Sequence, residues 1–272
     1  MLNITDREFC KLSEYIKGNY GINLSDKKKA LVVGRLQNIL IEKNFDSFSE
    51  YTDYVMNDKT GDAVRILISK ITTNYTYFMR EPEHFQYFKT VALPYWHDQL
   101  RNIKDLRVWS AGCSSGEEPY TLSMTIADFF GNDKGLWDTK ILATDISTRV
   151  LDEAKKGVYS NESLENVPKM WKNLYFNRYD DENSVVADSI KKEVLFRPFN
   201  LMTNTFPFRK KFHVIFCRNV MIYFDAETKR ELVNKFYEHT EYGGYLFIGH
   251  SESLNREETR YKYIKPAVYR KE

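Results

Sequence analysis

The residues with the most chemical content are acidic and flanked by glycine. Ala111-Gly112-Cys113-Ser114-Ser115-Gly116-Glu117-Glu118-Pro119-Tyr120 follows a short apolar run and opens a helical stretch. Two glycines in a strand-to-helix turn let a ligand approach the backbone closely. The turn is not the dinucleotide fingerprint G-x-G-x-x-G, and it is not a phosphate loop, since no Gly-Lys-Ser/Thr follows. A helix N-terminus welcomes anions, yet Glu117 and Glu118 occupy this one. Two carboxylates there point away from phosphate and toward a cationic ligand, such as a sulfonium bearing an α-ammonium group. The plain alternative is two acids favourably placed in a helix's first turn.

Asp145 closes the next apolar run, Ala143-Thr144-Asp145-Ile146. One carboxylate at that point can accept from both hydroxyls of a ribose, although a helix cap competes as an explanation. Asn200-Leu201 follow a third run and could hold an adenine edge and face. Arg218-Asn219 emerge from a fourth, Phe212–Cys217. The five histidines are scattered without a Ser-His-Asp pattern and read as structural. Cys10, Cys113 and Cys217 form no C-x-x-C pair, so neither a disulfide framework nor a metal site is expected.

Elements must place these residues together. From about residue 105, β-rich runs alternate with helical stretches near Glu118–Phe130, Thr148–Lys156 and Ala226–Glu241. That alternation predicts an α/β fold: a mostly parallel, Rossmann-like sheet with helices on both faces and its ligand at the strands' carboxyl ends. Leu174–Phe176, the turn Asp180-Asp181-Glu182-Asn183 and Ser184–Ala187 read as a small antiparallel β insert at about 172–192. Residues 1–75 read as a small all-α domain, and 76–272 as the α/β domain. A capping box at Thr5-Asp6-Arg7-Glu8 starts the first helix and Gly21 stops it. Ser25 and Ser47-Phe48-Ser49-Glu50 are the next candidate caps, with Leu31, Leu36, Ile39, Leu40, Tyr51, Tyr54 and Val55 expected inside.

The 272 residues carry a formal charge of +2, and 42% are hydrophobic. Such a balance does not suggest a polyanion binder, and no Asn/Asp-Pro-Pro-aromatic motif follows the fourth strand, so nucleic acid is not an expected partner. No stretch nears the roughly 18 apolar residues of a membrane span. The opening residues lack a signal-peptide core. A cytoplasmic location without membrane insertion follows as the expectation.

Five strings, in order, resemble the CheR family of chemotaxis receptor glutamate O-methyltransferases. They are Thr72-Thr73-Asn74-Tyr75-Thr76-Tyr77-Phe78-Met79-Arg80-Glu81, the Trp109–Tyr120 turn, Ala143–Ile146, Cys217–Phe224, and Gly249-His250-Ser251-Glu252. The resemblance implies an S-adenosylmethionine-dependent methyltransferase, with S-adenosylhomocysteine as product. It implies cofactor contacts from Asn74, Thr76, Arg80, Gly112, Glu117 or Glu118 (with Glu117 favoured), Asp145, Asn200, Leu201, Arg218 and Asn219. Arg80 and Tyr223 would serve catalysis by orienting the substrate carboxylate. The implied partner is the helical cytoplasmic domain of methyl-accepting chemotaxis receptors, docking on a basic face at Lys27, Lys28, Lys29 and Arg35. A receptor C-terminal peptide on the β insert is a further possible contact, and the family resemblance suggests a monomer. From another class, a non-catalytic scaffold that binds the cofactor as a signal would keep the same fold.

Overall fold

A computed structural model describes residues 2–73 and 75–272. Two compact units result, one of Met1–Asn74 with Asn200–Met202 and Tyr223–Lys229, the other of Tyr75–Phe199, Thr203–Ile222 and Arg230–Glu272.

The first unit is built on helices Asp6–Tyr20, Lys29–Glu42, Phe48–Asn57 and Asp62–Ile71. The Thr5–Glu8 capping box is reciprocal, and Gly21 ends the first helix at φ +70°. There a side chain would collide with Met202, whose Sδ would stand 2.4 Å from an added Cβ. Ser47 accepts from Glu50 N, but Glu50 turns its own carboxylate to Asp46 N, so this second cap is one-sided. Ser25 makes no side-chain cap, because a 3-10 turn over Asp26–Lys28 intervenes before the second helix. Val32, on the same helix face as Leu36, Ile39 and Leu40, is buried and Leu31 exposed, and on the next helix Tyr54 turns outward. Residues 223–225 are held to this unit by Asn23 N donating to Tyr223 O at 2.8 Å and by Lys17–Asp225 at 2.7 Å.

The second unit carries two sheets. Its strands are β1 (Val108–Ala111), β2 (Ile141–Asp145), β3 (Val158–Ser160), β4 (Phe176–Arg178), β5 (Asn183–Val186), β6 (Val194–Pro198), β7 (Phe212–Cys217), β8 (Thr240–Ile248), β9 (Lys262–Lys265) and β10 (Val268–Arg270). The main sheet runs β6-β2-β1-β7-β8-β10-β9. Its first five strands are parallel, and β10 pairs antiparallel with both β8 and β9. Strand order reverses between β1 and β7, which pair at Val108↔Val214. A crevice at the strands' carboxyl ends is expected at such a point.

Every residue of β1 and β7 is buried, as in a sheet covered on both faces. Val108 packs with Val214, Phe216 and Phe247, while Trp109, pointing to the other face, meets Phe206, Phe208 and Phe236. The small sheet is ordered β3-β5-β4 and begins at Val158, upstream of the residue-172 boundary read from sequence. Leu174 belongs to the helix Lys169–Tyr175, not to an extended segment. No helix among the described residues is long and apolar enough to cross a membrane.

Candidate active site

The turn after β1 is shaped by its backbone. Gly112 sits at φ +87°, where a Cβ would lie 2.4 Å from Val220 Cγ2. Gly116, at φ +99°, starts the helix Glu117–Phe130 against Ala154. Gly112 N and Cys113 N both donate to Thr144 O, which ties the turn to the end of β2. Asp145 completes that tie: Oδ2 accepts from Ser114 N and Oδ1 from Ser147 N, each at 2.9 Å. Each carboxylate oxygen keeps further acceptor capacity, enough for two vicinal hydroxyls. Burial pushes the Asp145 carboxyl above its ordinary range, against the pull of those N–H groups.

The two adjacent glutamates part company. Glu117 is buried and receives Ser115 Oγ at 2.8 and 3.0 Å. Glu118 lies at the sheet's carboxyl end, where Oε1 accepts from Ser110 Oγ at 2.7 Å and Oε2 pairs with Arg218 Nη1 at 3.1 Å. Geometry thus favours Glu118, not Glu117, as the residue facing the switch point. Burial pushes both carboxyls up, and at Glu118 the Arg218 guanidinium opposes it. A carboxyl whose folded pKa is raised takes stability away as pH climbs through it. Glu117→Gln should therefore raise Tm by a few degrees at neutral pH, and the gain should vanish below its reference value of 4.5. Thermal denaturation across pH measures this, and S-adenosylhomocysteine affinity should be unchanged.

Arg218 is almost wholly buried between Glu118 and Glu81, the latter at 3.1 Å, and its guanidinium also donates to the carbonyl of Arg80. Burial works to raise Glu81, but Arg218 and the His250 N–H outweigh it and hold the carboxyl low. One guanidinium between two carboxylates leaves one negative charge over. A ligand cation at the strand ends is the natural complement.

His84 Nδ1 lies 3.3 Å from Glu81 Oε2, and burial drives its pKa down to about 3. Glu81, His84 and His250 come close enough to hold a metal ion. However, Glu81 Oε2 already receives Arg218 and His250 N–H groups, and an added cation would displace the guanidinium. The cluster therefore belongs to the Arg218 network.

Of the remaining expected residues, Arg80 is half-buried, donates to Tyr75 O at 2.7 Å and lies over the rings of Tyr75 and Tyr77. Its neighbours Met79 and Glu81 both take φ near +60°, costly for side chains other than glycine. Thr76 is half-buried on the same segment, while Asn74 lies outside the described residues. Asn219 Nδ2 reaches Glu81 Oε1 at 3.4 Å. Asn200 and Leu201 group with the helical unit, where Asn200 donates to Asn19 O at 2.9 Å. Tyr223 is a latch in that unit: its hydroxyl accepts from Thr73 N at 2.9 Å and donates to Thr73 O at 3.1 Å. That bond to Thr73 O uses the hydroxyl's one proton.

Three of the four residues of the expected basic face also make bonds within the protein. Arg35 donates to the carbonyls of Lys70, Ile71 and Thr72, Lys28 donates to Asn23 O, and Lys29 pairs with Asp6. The sequence reading gave no role to Glu81, which pairs with Arg218, or to Glu252, which accepts from Asn219 N. Both stood inside quoted motifs, which is the only signal they gave.

A family model described as CheR methyltransferase, SAM binding domain, matches residues 74–270, and the CheR methyltransferase all-alpha domain matches 7–72. The chain belongs to the CheR methyltransferase family. It is 45% identical over 99% of its length to a chemotaxis protein methyltransferase of Borreliella burgdorferi, covering 96% of that protein. It is 35% identical over 98% of its length to the chemotaxis protein methyltransferase of Escherichia coli, covering 92% of it. The cofactor of this CheR chain is S-adenosylmethionine, whose α-ammonium and ribose suit the spare charge at Glu118–Arg218–Glu81 and the two oxygens of Asp145.

Proposed function

We propose that this chain methylates glutamate side chains on the helical cytoplasmic domain of chemotaxis receptors, forming methyl esters. The observation that carries the reading is that the strand-end acids are engaged by fixed donors and the buried histidine is a weak base, so none of them is placed as a general base. Glu81, Glu118 and Asp145 each accept from donors fixed by the fold, and His84 is too weak a base at neutral pH. A nucleophile that arrives already ionised suits such a site. A glutamate carboxylate, with a reference pKa near ~4.3, is one.

When bound, the cofactor supplies an electrophilic methyl group on a sulfonium. Asp145 would hold the ribose, and Glu118 the ammonium, with Arg218 pairing with Glu118 and aiming it. Arg80 would orient the incoming carboxylate by its edge, since a full ion pair would dull the nucleophile. The work is alignment and exclusion of water, not proton transfer. Tyr223 and Arg35 both fix residues 70–73 of the helical unit.

In the small sheet β5 is central, which leaves β3 and β4 as edges, and a receptor's C-terminal peptide would add there as a further strand. The test is incubation with methyl-labelled S-adenosylmethionine and a receptor cytoplasmic fragment. Label on the fragment that mild alkali releases as methanol is expected. Alkali-stable label would refute ester formation.

A further inference from the structure

The turn Gly249-His250-Ser251-Glu252 touches both halves of the ion-pair network through His250 and Glu252, and Glu252 has no role in the proposed function. We propose that Glu252 is a positioning residue for cofactor binding, its carboxylate fixing Asn219 in a left-handed backbone conformation and so holding Arg218 in its bridge between Glu118 and Glu81 with Asn219 beside it. The proposal rests on the assignment of those two residues to the cofactor site. Glu252 is 6% exposed. Its Oε2 accepts from Asn219 N at 2.9 Å and Gly249 N at 2.6 Å, and its Oε1 from Ile222 N at 3.1 Å. Asn219 stands at φ +59°, a conformation that persists in a side-chain-bearing residue only where its surroundings impose it.

Gly249 provides the room. A Cβ there would lie 2.5 Å from Asn219 Nδ2 and 2.9 Å from Asn219 N. His250 N, from the same turn, donates to Glu81 Oε2 at 3.2 Å. One short turn therefore holds Arg218-Asn219 through Glu252 and the partner of Arg218 through His250. Burial of a carboxylate whose partners are backbone N–H groups pushes its pKa up, a cost that a purely packing role would not require.

A loop that is competent only part of the time weakens apparent affinity by that fraction, and saturating ligand restores it. Glu252→Gln keeps the shape but turns an amide NH2 toward N–H donors. It should raise KM for S-adenosylmethionine and Kd for S-adenosylhomocysteine about tenfold, with kcat at saturating cofactor within about twofold of wild type. Gly249→Ala, pressing on Asn219 from the other side, should do the same, and it decides alone if Glu252→Gln does not fold. Kd within about twofold of wild type in the folded variants, or a fall in kcat with KM unchanged, would overturn the proposal and leave Glu252 a structural staple. Wild-type protein and Asp145→Asn are titrated alongside. A folded wild type that fails to bind overturns the cofactor assignment, and the proposal with it.

Discussion

Asp145→Asn should weaken S-adenosylhomocysteine binding on the order of 100-fold while Tm moves by only a few degrees. The carboxylate is held by Ser114 N and Ser147 N, so an amide must turn its NH2 toward one of those donors. Either the turn that receives the ligand shifts or one ribose hydroxyl loses its acceptor. Hydrogen bonds to a charged group contribute about 1.5–3 kcal/mol each, and losing one of them corresponds to the loss expected here. Stability should suffer less, because burial already disfavours the ionised acid and the neutral amide escapes that cost. Titration calorimetry beside a thermal melt measures both. Unchanged affinity would remove Asp145 from the site.

Arg218→Met should be the most damaging single change to the fold of the second unit. It strands Glu81 and Glu118 without their shared cation and leaves the Arg80 carbonyl without that donor. Breaking a buried ion pair from one side costs about 3–5 kcal/mol, which for a domain of this size is roughly 10 °C in Tm. The pH dependence has a definite sign. Glu81 is held below its reference value of 4.5, so its contribution is present above that pH and lost as pH falls through the folded value. The deficit of Arg218→Met should therefore be largest near neutrality and shrink in acid. Arg218→Lys should not rescue, because a single ammonium cannot span two carboxylates and a carbonyl as the guanidinium fork does. Thermal denaturation from pH 4 to pH 8 in steps of about one unit checks this.

Much of this architecture can be read in the residue string, because its signals are local. The Thr5–Glu8 capping box, the glycine turn after β1 and the acid ending β2 each depend on spacing that neighbours in sequence fix by themselves. Orientation is another matter. Glu117 and Glu118 are adjacent on a helix and so point about 100° apart. Only the approach of Ser110 and Arg218 decides which of them faces the sheet's carboxyl end. The string around Tyr223 and Arg35 likewise does not show that residues 70–73, distant in sequence from Tyr223, bond to both side chains. Asn200 likewise follows a strand of one unit yet is bound into the other. Strand β3 escaped notice because three residues after a helix-ending glycine carry too little periodicity to register.

The most direct test is fragmentation mass spectrometry of a receptor cytoplasmic domain after incubation with this protein and deuteromethyl S-adenosylmethionine. The account predicts the added methyl on glutamate side chains, lost on mild alkaline treatment. Methyl groups on nitrogen would contradict it. So would an unmodified receptor in the presence of protein that binds S-adenosylhomocysteine, and that result would point instead to a cofactor-sensing scaffold.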